Sequence, residues 1–112
     1  MDKKIKTIYR VANKCGFAVK HKAVKQDIVF AFKDKESSLN CFFEVAAKND
    51  ENEKTFCDNV AHAVFLISED FEPHTETQRC LEKMGGNLTQ YTEVYTQINN
   101  FAWKLRSFWL SI

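Results

Sequence analysis

The sequence predicts an α+β domain: an N-terminal helix, a three-stranded antiparallel meander, then two to three helices ending in a long C-terminal one. Three observations carry this. Apolar residues recur at helical spacing over residues 3–15 and again from residue 51 onward. Between those stretches the apolar period falls to two, in a segment rich in Phe, Val and Ile. The order is helix, strands, helices rather than alternating strand and helix. At 112 residues, with 45% hydrophobic and 28% charged residues, the chain has the composition of one globular domain, 1–112. Nothing in it resembles a linker or an internal repeat.

The first helix places Ile5, Ile8, Ala12 and Cys15 on one face and Lys3, Lys6, Arg10 and Lys14 on another. Asp2 is its expected cap, and Gly16 suits the position just past its end. The meander follows. Phe17, Val19 and His21 alternate with Ala18, Lys20 and Lys22, and Ile28, Phe30 and Phe32 with Val29, Ala31 and Lys33. A polar turn over 34–38 leads into a third strand that alternates Cys41, Phe43 and Val45 with Phe42, Glu44 and Ala46. Phe30, Phe32, Cys41, Phe43 and Val45 form the expected core face.

Asp50 and Glu53 have capping-box spacing ahead of a second helix over about 51–71, whose stripe is Phe56, Val60, Ala63, Val64, Ile67 and Phe71. Pro73 opens a short helix that reaches Met84, and Gly85-Gly86 breaks the chain. Asn87 caps the last helix. Its seam is Leu88, Tyr91, Tyr95, Ile98, Ala102, Leu105, Trp109 and Ile112, widened by Val94, Phe101 and Phe108. The helix–meander–helix order is loosely similar to that of small bacterial secretion chaperones, a likeness of element order without residue correspondence.

Export and membrane insertion are not expected. The charged start, Met1 to Lys6, is not followed by an apolar run, and the longest nearly apolar stretch, 60–67, is far below the about 20 residues a spanning helix needs. The expected location is cytoplasmic, with the four cysteines (15, 41, 57 and 80) as free thiols.

Catalytic and metal chemistry find little footing. No Gly-rich phosphate loop, Gly-x-Ser-x-Gly or Cys-x-x-Cys occurs. Cys57 and His62 lie about 140° apart around a helix, so they diverge. No catalytic residue, metal ligand or cofactor is expected.

Two anomalies point to partners. The first is charge. Residues 1–26 hold eight Lys/Arg and one Asp, net +7, and residues 27–112 hold eight Lys/Arg and fourteen Asp/Glu, net −6. Lys3, Lys6, Arg10 and Lys14, continued by Lys20, Lys22 and Lys25, form a candidate phosphate-binding track for nucleic acid, with a solvated face as its bland alternative. The second is apolar surplus on the last helix and the sheet: Phe101, Trp103, Phe108, Trp109, Leu110 and Phe42. These mark a partner or oligomer surface. The competing arrangement has the first helix cover the sheet's second face and the last helix lie across the domain. The leading expectation is a non-enzymatic protein-interaction module of adaptor or chaperone-like kind that forms a homodimer. A nucleic-acid-associated protein using the basic segment 3–25 is the alternative.

Overall fold

A computed structural model describes residues 2–35, 42–69 and 88–107 of the chain. These form helix α1 (Lys3–Lys14), strands β1 (Phe17–Val24), β2 (Asp27–Asp34) and β3 (Phe42–Lys48), and helices α2 (Glu53–Glu69) and α3 (Leu88–Arg106). The architecture is α+β, with three helices among the described residues and an antiparallel sheet of order β1-β2-β3.

Local chemistry sets the element ends. The Asp2 carboxylate accepts the backbone N–H of Lys4 at 3.2 Å and so caps α1. Gly16, just past the other end, has φ 87°, a region closed to most residues with a Cβ. Val24 opposes Asp27, so β1 and β2 are joined by the two-residue turn Lys25-Gln26, with Lys25 at φ 57°. α2 begins later than the Asp50–Glu53 spacing suggests. Asn52 is its cap, accepting the Thr55 N–H at 2.9 Å, while Asp50 accepts the Asn52 N–H at 2.8 Å. Glu53, freed from capping, accepts the Thr7 hydroxyl at 2.9 Å and ties α2 to α1.

The register puts Phe17, Val19 and His21 of β1, Ile28, Phe30 and Phe32 of β2, and Phe43, Val45 and Ala47 of β3 on one face of the sheet. All three helices pack on that face. Tyr9 of α1 bonds to His21, Phe56 of α2 touches Phe30, and Phe101 of α3 meets Phe17 and Phe32 with ring centroids 5.5 and 5.0 Å apart. Phe17, Phe30, Phe32, Phe56 and Phe101 are fully buried, so one aromatic cluster links both layers.

Three expectations are corrected or left aside. The last helix ends at Arg106, where the Ser107 hydroxyl turns back to the Trp103 carbonyl at 2.7 Å. α2 begins at Glu53 rather than 51 and is described as far as Glu69, residues 70 and 71 lying outside the described residues. The short helix expected from Pro73 to Met84, together with Cys41, Phe71 and Cys80, lies outside the described residues.

Candidate interaction surfaces

The first surface is a groove of roughly 430 Å³ between α2 and α3, lined by His62, Phe65, Leu66 and Glu69 on one helix and by Tyr95, Asn99, Trp103 and Arg106 on the other. Trp103 stands edge-on to the half-buried Phe65, with ring centroids 5.2 Å apart and planes at 81°. The Arg106 guanidinium lies 4.9 Å from the Phe65 ring and 5.9 Å from Trp103. Trp103 is 53% exposed and Leu66 50% exposed. Of the residues expected on a partner surface, Trp103 is therefore at the surface, at the rim of this groove.

Phe101 is not. It is fully buried between the sheet and the helices, because the widened seam of α3 faces β1 and β2 as well as α2. Its apolar surface is consumed inside the chain. Phe108, Trp109 and Leu110 lie outside the described residues. Sequence reasoning missed Leu66 and Arg106. Leu66 carried a usable signal: it falls about 200° around α2 from Val64, an apolar side chain off the buried stripe.

The second surface is the outer face of the sheet. No helix among the described residues covers it, and α1 lies on the opposite side. In register it reads Ala18, Lys33, Phe42; Lys20, Ala31, Glu44; Lys22, Val29, Ala46; and Val24, Asp27, Lys48. Phe42 is 59% exposed at one corner. Lys20, Lys22, Lys33 and Lys48 are all exposed.

This geometry divides the basic track expected from sequence. Lys20 and Lys22 point away from the helix layer, whereas Lys3, Lys6, Arg10 and Lys14 lie on the exposed side of α1. The α1 stripe lies on the flank nearer Thr7, which bonds to Glu53 of α2, than Tyr9, which bonds to β1. Lys3 approaches Glu53 at 3.9 Å. The two sets are separate patches.

The groups with the strongest chemistry are placed structurally. Cys57 is fully buried, and burial, reinforced by the charges of Glu53 and Asp58, pushes its thiol up to about 12. It is thus protonated and inert near neutrality. His62 is exposed on the other side of the helix, so the two do not pair. Among the described residues no three His, Cys, Asp or Glu side chains gather to hold a metal ion, and no helix is long and apolar enough to cross a membrane.

No protein-family model matches the chain, and no curated protein or solved structure shows significant similarity to it.

Proposed function

We propose that this chain is a small non-enzymatic protein-interaction module, of adaptor or chaperone-like kind, that pairs with a second copy through the α2–α3 groove. The supporting observation is the half-exposed pair Trp103 and Leu66 flanking one groove. Trp is enriched among the few residues that anchor protein interfaces. A second copy is favoured over an unrelated partner because the groove carries both a carboxylate, Glu69, and a guanidinium, Arg106. A two-fold interface sets the same patch against itself and can therefore pair each with its opposite. The same reading places the chain in the reducing cytoplasm, where Cys57 stays a free thiol.

Sedimentation equilibrium at micromolar concentration tests this. The expected result is a mass twice the 13.1 kDa of one chain. Leu66→Ser with Trp103→Ser should return it to the monomer with unchanged circular dichroism, since both side chains are half exposed. A wild-type mass of one chain, or a dimer indifferent to the double substitution, rejects the pairing.

A further inference from the structure

The outer face of the sheet is also left uncovered by the described helices. From it we infer that the outer face of β1-β2-β3 binds single-stranded nucleic acid, with Lys20, Lys22 and Lys33 on phosphates and Phe42 stacked on a base. Charge is the first reason. Lys20, Lys22, Lys33 and Lys48 share the face with only Asp27 and Glu44, and among the described residues no carboxylate lies within ion-pairing distance of those lysines. Four ammonium groups against two carboxylates leave the face net positive, so two copies of it would repel on balance and the face favours a polyanion over self-pairing.

Shape is the second reason. The middle of the face is floored by Ala31, Val29 and Ala46, none of which rises far from the sheet. Two strand spacings give a width of about 10 Å, and seven residues a length of about 24 Å, which suit an extended strand better than a duplex. Phe42 supplies the third. It is the most exposed large apolar side chain described, and it stands in the same cross-strand row as Lys33. A stacking aromatic beside backbone-tracking lysines is the combination that holds single strands without reading sequence. An acidic peptide would use the lysines but has no need of a bare aromatic ring.

The test is fluorescence anisotropy of the full chain with a labelled twelve-nucleotide polyuridine, titrated at low salt and repeated with added salt. Three phosphate contacts give a log–log salt slope near about −2. Lys20→Gln, Lys22→Gln and Lys33→Gln together should weaken binding at least about tenfold and flatten that slope. Phe42→Ser should weaken it roughly five- to a hundredfold with the slope unchanged, because stacking releases no counterions. The α1 variant Lys3→Gln, Lys6→Gln, Lys14→Gln, and separately Trp103→Ser, should leave affinity within about twofold. All these side chains are exposed, and circular dichroism checks each fold. The inference is overturned by absence of binding at low salt, or by an α1 variant as damaged as the sheet variant. It is also overturned by equal displacement of the strand by polyglutamate, which would mark an acidic protein partner, or by tighter binding of duplex RNA.

Discussion

Lys4 is almost fully buried on α1, yet its ammonium donates to the Asp50 carbonyl at 2.7 Å and lies 5.2 Å from the centre of the Phe56 ring. Its stem packs as an apolar chain while its head fixes the approach to α2. Gln97 does the same at the other corner, donating to the Cys15 carbonyl at 2.9 Å and to the buried Asp34 carboxylate at 3.1 Å. One side chain of α3 thus joins the end of α1 to the end of β2. Cys57 has the opposite character, a buried group that stays neutral. Its thiol is raised from 9.0 to about 12, so folded protein keeps a proton there that unfolded chain has lost. Stability from this site is complete below about pH 9 and is lost progressively as pH rises toward 12, at up to about 1.4 kcal/mol per pH unit. Urea unfolding at pH 8 and pH 10 checks it. Wild type should lose about 1 kcal/mol more between the two than Cys57→Ala, in which every other titrating group, including the raised Tyr9, is kept. Parallel losses would mean that water reaches the thiol in the folded chain.

At the scale of elements, the sheet is governed by its period of two, which makes register an all-or-none matter. Phe43 is 6% exposed and lies 5.1 Å from Phe32 and 5.6 Å from Phe17 by ring centroids, whereas its neighbour Phe42 is 59% exposed. A slip of one residue would exchange them. Phe43→Ala should therefore cost about 3–5 kcal/mol in denaturant unfolding, and Phe42→Ala under about 0.5 kcal/mol. Equal losses would mean a different register for β3. This alternation, the α1 cap at Asp2 and the break at Gly16 were legible in the sequence, because each rests on residues within a turn or two of one another. The β1–β2 turn was not, since Lys25-Gln26 has neither the Gly nor the Asn that usually marks a two-residue hairpin. The start of α2 was misplaced for a related reason. Asp50 and Asn52 are both good caps, and the spacing to Glu53 favoured the wrong one until Thr7 of α1 claimed that carboxylate.

For the molecule as a whole, the sequence held the order of the described elements and, Cys41 aside, the main core face, but not which surfaces meet. Whether α1 covered the inner or the outer face of the sheet turned on contacts such as Tyr9 to His21, which no local pattern contains. For the same reason the basic residues that look continuous in the sequence fall on two sides of the sheet, and Phe101, apolar surplus by pattern, belongs to the core. Phe101 is where this matters most for stability. Its ring touches Phe17 of β1 and Phe32 of β2, and Ile98, Ala102 and Leu105 of the same helix are fully buried beside it. With sheet and helices sharing one aromatic cluster, α3 is a structural wall of the core and not an appendage to an independently stable sheet. Phe101→Ala should cost about 3–5 kcal/mol, a large part of the about 5–15 kcal/mol that holds a domain together. The loss should also be global. Exchange of the β2 amides and the helical circular dichroism should give the same lowered unfolding free energy in the variant. Amides of β2 that stay protected while helical signal melts would show instead that α3 opens as a separate unit, and the groove it forms with α2 would then be a surface present only part of the time.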